Sequence, residues 1–201
     1  VRLFAILMIA AAVAGLLAMR RGYGPSGPRR AARASDDPPR VLQVLWPVLV
    51  ALVVFSPFLA AIAPGVATSA LGNVTFPFDM AVQIAGFLLW TAGGLLVARS
   101  ARVLGRFMVT EIVVSTDHEL IQTGPYAYVR HPAYAGAIVM AVGIAFLFLS
   151  VAFATLALAV VLLAAYRARK EERLLGSPEG FGEAYRAYMA CTGRFLPRLR
   201  K

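Results

Sequence analysis

The sequence predicts an all-α integral membrane protein of about five transmembrane helices. The last two form a tight hairpin, and a small cytosolic part carries the chemistry. Three observations predict this class. First, 60% of the 201 residues are hydrophobic and 15% are charged, against about 45–50% and about 25% in soluble domains. Second, no Asp, Glu, Lys or Arg lies between Arg40 and Asp79, or between Arg130 and Arg167, and a membrane helix needs about 20 apolar residues. Third, the net charge of +10 comes from arginines clustered beside the apolar runs. That is the positive-inside pattern of a membrane protein, and no nucleic-acid partner is expected. The single cysteine, Cys191, and the two histidines, His118 and His131, exclude a disulfide scaffold, a cysteine-based zinc or iron–sulfur site and a multi-histidine di-iron centre. No metal is expected.

The elements follow in order. Residues 3–19 are apolar and read as a first span. A cleaved signal peptide is the competing reading, with Ala12-Val13-Ala14 as its cleavage site, although the apolar stretch is long for one. Residues 20–40 hold six arginines, four prolines and three glycines and form a linker that builds no core. Gly22, Gly24 and Gly27 match G-x-G-x-x-G, but an apolar span precedes them and Pro25 and Pro28 interrupt them, so the dinucleotide motif lacks its strand and helix. Residues 41–63 are the second span. Pro47 and Pro57 bend it, and neighbouring helices are expected to satisfy the carbonyls they free. An uncharged loop over 64–78 leads to the third span, from about Phe78 to Ala98.

Residues 99–131 change character, with arginines, two glutamates, an aspartate and both histidines. Residues 132–166 are again uncharged. As a helix they would rise about 52 Å, short of two crossings of about 30 Å each. A tight hairpin turning near Ser150, its ends extended by polar residues, fits that length. Residues 167–201 carry nine basic and four acidic residues. Placing the basic segments 20–40, 99–131 and 167–201 in the cytoplasm puts the N-terminus outside and the C-terminus inside. The last two segments then share one side and can build one site. The domain reading is residues 1–79 as N-terminal spans and linker, and residues 80–201 as the functional core.

The densest chemical signal is Gly124-Pro125-Tyr126-Ala127-Tyr128-Val129-Arg130-His131-Pro132-Ala133-Tyr134-Ala135-Gly136. Gly124-Pro125 is a turn. His131 precedes a proline and is pushed out of helical geometry, while Pro132 suits the first position of the next helix. Arg130 and His131 therefore flank a helix N-terminus, where free N–H groups favour an anion. Taken singly, each of these residues fits an interfacial belt; the turn, the cap and the histidines together favour a site. At the end of the fifth span, Arg167 and Glu171 share a helix face. The adjacent Glu171 and Glu172 are costly at a membrane boundary without partners. Phe181, Tyr185 and Tyr188 form a helical stripe that reads as packing.

Gly-Pro-Tyr, Arg-His-Pro-x-Tyr-x-Gly, an apolar hairpin, Arg-x-x-x-Glu-Glu-x-x-Leu and Phe-Gly-x-x-Tyr-x-x-Tyr, in that order, resemble the isoprenylcysteine carboxyl methyltransferase family, which is related to membrane phospholipid methyltransferases. The resemblance covers roughly residues 80–197. It implies S-adenosylmethionine as methyl donor, entering from the cytosol, and a lipophilic or prenylated acceptor entering sideways from the bilayer. By the same resemblance His118, Glu119, Leu120, Ile121, Tyr126, His131, Pro132, Ala133, Tyr134 and Glu171 bind the cofactor. Arg167 matches the substrate-binding arginine and, with Arg130 of the motif, is the catalytic candidate. A carboxylate acceptor needs no base at neutral pH. An amine or phenol would need one, and Glu172 is nearest. Other readings are a phospholipid or other lipid methyltransferase, an NADPH-dependent sterol-type reductase, and a small transporter. The last is disfavoured because the charges lie at span boundaries and no internal repeat is visible.

Overall fold

The computed structural model describes residues 32–35, 38–62, 72, 74, 79–108, 113–115 and 119–198. The span expected at 3–19 and the candidate His118 lie outside them. The described elements are β1 (Ala32–Ser35), α1 (Arg40–Ile62), α2 (Asp79–Leu104), a 3₁₀ turn (Gly105–Phe107), β2 (Val113–Ser115), a second 3₁₀ turn (Gly124–Ala127), α3 (Pro132–Phe148), α4 (Val151–Leu175) and α5 (Glu183–Cys191). The expected all-α membrane architecture is present. Three of its helices, α1, α2 and α4, are long and apolar enough to cross a membrane. Their outward leucines, among them Leu88, Leu95, Leu158 and Leu162, are exposed. So extended an apolar surface belongs against lipid rather than water.

α3 has 17 residues, about 25 Å of helix, and forms the centre of the bundle. Ala141 and Ile144 on it are fully buried, in a core shared with Leu49 and Val53 of α1, Trp90 of α2 and Val160 and Leu163 of α4. Its contact with α2 is made by two glycine pairs. A Cβ on Gly86 would lie 2.6 Å from the Gly143 carbonyl, and one on Gly93 would lie 2.6 Å from the Gly136 carbonyl. Small residues at these crossings let the two backbones touch, which is how membrane helices gain dispersion contact where the hydrophobic effect offers little.

Pro57 has no N–H and so leaves the carbonyl of Val53, four residues back, without its helical donor. Trp90 Nε1 and Ser56 Oγ both donate to that carbonyl, each at 3.2 Å. The carbonyl that Pro57 frees is thus satisfied by the neighbouring helix together with Ser56, as expected for a proline in a membrane span.

The hairpin turns at Leu149 and Ser150. Leu149 has a φ of 49°, and its carbonyl accepts from the Val74 N–H at 2.8 Å. α4 then runs for 25 residues, about 37 Å, so its charged end extends past the apolar length, as the arithmetic on residues 132–166 requires.

Two features go beyond what the sequence predicts. The linker is not wholly irregular: β1 pairs antiparallel with β2, Ala34 opposite Val114 and Ser35 opposite Val113. The stretch 31–35 contains no Gly or Pro, and its partner brings two adjacent β-branched valines, which favour extended backbone. Second, the chain after α5 returns to the start of α3. The Arg130 N–H donates to the Gly193 carbonyl at 2.8 Å, and the His131 N–H to the Arg194 carbonyl at 3.1 Å. Only glycine fits at 193, where a Cβ would stand 1.7 Å from the Leu196 carbonyl oxygen.

Candidate active site

His131 caps α3 with non-helical φ and ψ of −124° and 61°, and Pro132 opens the helix, as the His-Pro pair predicts. The imidazole points across to the end of α4. There Glu171 and Glu172, about 100° apart around the helix, present carboxylates to different surroundings.

Glu172 faces a cluster of cations. Arg130 Nε donates to its Oε1 at 2.8 Å, and Arg194 donates from Nε to Oε2 at 3.0 Å and also from its terminal nitrogen. His131 Nε2 stands 3.4 Å from Oε1. Arg130 also donates to the carbonyls of Met189 and Thr192. The result is a clamp joining the start of α3, the end of α4 and the returning C-terminal segment. Hydrogen bonds to Glu172 hold the Arg194 guanidinium above its ordinary pKa.

Glu171 faces an internal cavity of about 420 Å³, within the range of small-molecule sites. The Tyr134 hydroxyl donates to Glu171 Oε1, and His131 Nδ1 lies 3.3 Å from Oε2. Tyr134 in turn accepts from Arg167 Nε at 3.2 Å. Arg167, only 1% exposed, lies with its guanidinium carbon 5.8 Å from the ring centre of Trp46. Trp46 also meets Tyr134 edge-on at 4.9 Å, and the His131 ring stacks on Tyr134 at 5.6 Å. Burial opposes charge on His131, but the neighbouring carboxylates of Glu171 and Glu172 outweigh it and raise its pKa above the ordinary value.

Of the residues predicted from sequence, Glu119, Leu120, Ile121, Tyr126, Arg130, His131, Ala133, Tyr134, Arg167 and Glu171 all line this one cavity. Pro132 is buried and sets the helix start without lining it. Glu172 is not in the lining. The Phe181, Tyr185 and Tyr188 stripe does face the cavity, although its spacing reads as packing. Burial raises the pKa of Tyr185, and that of Tyr188 to about 12, so both stay neutral phenols.

Sequence reasoning missed Trp46. It lies in α1, a span that reads as hydrophobicity alone. The only signal is a lone tryptophan beside Pro47, less than two turns from the polar linker.

The cavity's polar end is thus aromatic and carries both signs of charge. Arg130, His131 and Arg167 face Glu172, Glu171 and Tyr134. Carboxylates, tyrosine rings and a helix N-terminus without a side-chain cap suit a ligand that carries a cation, a flat ring and a carboxylate.

Residues 86–177 match the sequence model of the isoprenylcysteine carboxyl methyltransferase family. The resemblance read from the motifs holds over that stretch, which contains Tyr126, Arg130, His131, Tyr134, Arg167, Glu171 and Glu172. Trp46 and Arg194 lie outside it. A solved structure similar to the chain is that of the eukaryotic intramembrane Ras methyltransferase, an isoprenylcysteine carboxyl methyltransferase, without a monobody. The identity is 23%, the TM-score 0.42, and the match covers 78% of this chain and 51% of that one. The chain therefore spans about half the length of that protein. No curated protein matches it.

Proposed function

We propose, from the premise that residues 86–177 carry the isoprenylcysteine carboxyl methyltransferase signature, that the protein is a membrane-embedded methyltransferase using S-adenosylmethionine on a lipophilic acceptor. The observation that carries the reading is the Arg167–Tyr134–Glu171 chain of hydrogen bonds along one cavity wall. It supplies a cation at one end for an anionic acceptor and a carboxylate at the other for a cationic donor. When bound, the donor supplies an electrophilic methyl group on a sulfonium, which passes to the acceptor oxygen as the carbon–sulfur bond breaks.

The residues act by positioning, since an in-line displacement gains most from alignment. Glu171, held in place by the Tyr134 hydroxyl and by His131, would face the donor's positive charge. The first-turn N–H groups of α3, with Ala133 in the cavity wall, suit the donor's carboxylate. Tyr126 and Tyr185 offer aromatic surface to an adenine or a sulfonium. Arg167 is the substrate-binding residue. Arg130, engaged with Glu172 and two carbonyls, is a positioning residue rather than one that touches the reacting atoms.

A carboxylate acceptor requires no base, its pKa being near 4. Glu172, held by Arg130 and Arg194, is no base for an amine or phenol. The clamp therefore favours carboxyl O-methylation of a prenyl-cysteine-like acceptor over lipid N-methylation. With the basic segments in the cytoplasm, the clamp between Glu172, Arg130 and Arg194 faces that side.

The test is titration of purified protein with S-adenosylhomocysteine and with NADPH. Binding of the first and not the second is expected; the reverse would replace the methyltransferase by the reductase. Arg167→Ala should cut turnover. Arg167→Lys should restore little if the acceptor is held by the two-pronged guanidinium and should be fully active if Arg167 only reaches for the interface.

A further inference from the structure

Outside the cavity, α4 presents a second surface that none of this chemistry uses. At about 100° per residue, Leu158, Leu162, Tyr166, Arg169 and Arg173 fall within about 80° of one another around the helix. Leu158 and Leu162 are 57% and 62% exposed, and Arg169 and Arg173 are exposed above them. Bare apolar side chains therefore run directly into guanidinium groups, about 10 Å of helix rise separating Leu162 from Arg169.

The upper end of this face opens into a groove that also takes in Arg186, Arg194 and Glu172. Glu172 is the one carboxylate in the groove lining, and Arg130 and Arg194 already engage it. Arg186 pairs with Glu183 at 2.9 Å. Among the described residues no ion pair engages Arg169 or Arg173.

We propose that this face of α4 binds one anionic phospholipid, its phosphate between Arg169 and Arg173 and its acyl chains along Leu158 and Leu162. Arginine's planar fork matches phosphate oxygens, and basic pockets at the cytoplasmic ends of membrane helices hold anionic headgroups. A free phosphate would use the arginines but not the leucines beneath them, so the continuity of the strip favours a lipid. The site is independent of the methyl-transfer reading.

The experiment counts lipids retained by the purified full chain in native mass spectrometry, from an equal mixture of phosphatidylglycerol and phosphatidylcholine. Phosphatidylglycerol should be retained about tenfold over phosphatidylcholine. R169Q/R173Q should remove that preference, while R99Q/R102Q, which takes the same charge from exposed positions on α2, should leave it within about twofold. R169K/R173K keeps the charge needed for insertion and should weaken retention about threefold. Equal retention of the two lipids, equal loss in R99Q/R102Q, or unchanged retention in both variants of 169 and 173 would overturn the site. Displacement of the lipid by millimolar inorganic phosphate would make it a free-anion site instead.

Discussion

Glu171 and Glu172 are adjacent in the chain and belong to two regions of the molecule with different work to do. Glu172 is 7% exposed and faces Arg130, Arg194 and His131. Glu171 is 23% exposed, lines the cavity, and faces Tyr134 and His131. One step of about 100° around α4 separates a carboxylate consumed by structure from one left facing the cavity. A charged pair at a membrane boundary therefore needs both members explained separately. His131 reaches both, 3.3 Å from Glu171 and 3.4 Å from Glu172.

The comparison breaks most visibly at the clamp. Glu172→Gln should cost about 3 kcal/mol of stability, the lower end for losing one partner of a buried ion pair, because Arg194 is about one-third exposed. The readout is the thermal midpoint in detergent. A shift as small as that of Glu171→Gln would merge the two regions. Glu171→Gln should instead leave the midpoint nearly unchanged and weaken S-adenosylmethionine, which carries the sulfonium charge, by about 1–3 kcal/mol, roughly ten- to a hundredfold. Isothermal titration of both variants tests the division directly.

Tyr134→Phe sharpens it further. The ring contacts to Trp46 and His131 remain, and only the hydroxyl between Arg167 and Glu171 is lost. A loss of about 1 kcal/mol is expected in both cofactor affinity and acceptor kcat/KM, since the hydroxyl serves both ends of the cavity. An effect on one alone would separate ends that the hydrogen bonds join.

The smallest expected effect is the pH dependence of His131. Its pKa is raised in the fold, so its contribution to stability is complete below about pH 6.5, the unfolded value. It is lost as pH rises through the folded value. The thermal midpoint should fall modestly above pH 6.5, and His131→Gln should flatten that segment of the profile.

Several parts of this architecture are legible in the residues. The His-Pro pair marks the start of α3, because a residue before proline leaves helical geometry and proline suits the first turn. The uncharged length of 132–166 forces the hairpin near Ser150. The four-residue spacing of Arg167 and Glu171 puts both on the cavity wall. The glycine pairs were legible only in part. Gly86 and Gly93, like Gly136 and Gly143, are seven apart, a spacing that marks one helix face but names no partner.

The sequence by itself determined the membrane class, the helix ends and the motif residues, because hydropathy, proline geometry and helical spacing act over a few residues. Only the tertiary structure decided that Glu172 is locked by Arg194 of the returning C-terminal segment, that Trp46 of α1 stacks beside Arg167, and that Val53's freed carbonyl meets Trp90. Each joins residues more than 20 positions apart in the chain. Local rules fix which groups need a partner. Which distant group supplies it depends on how the helices cross, and here that crossing is set by backbone contact at the two glycine pairs.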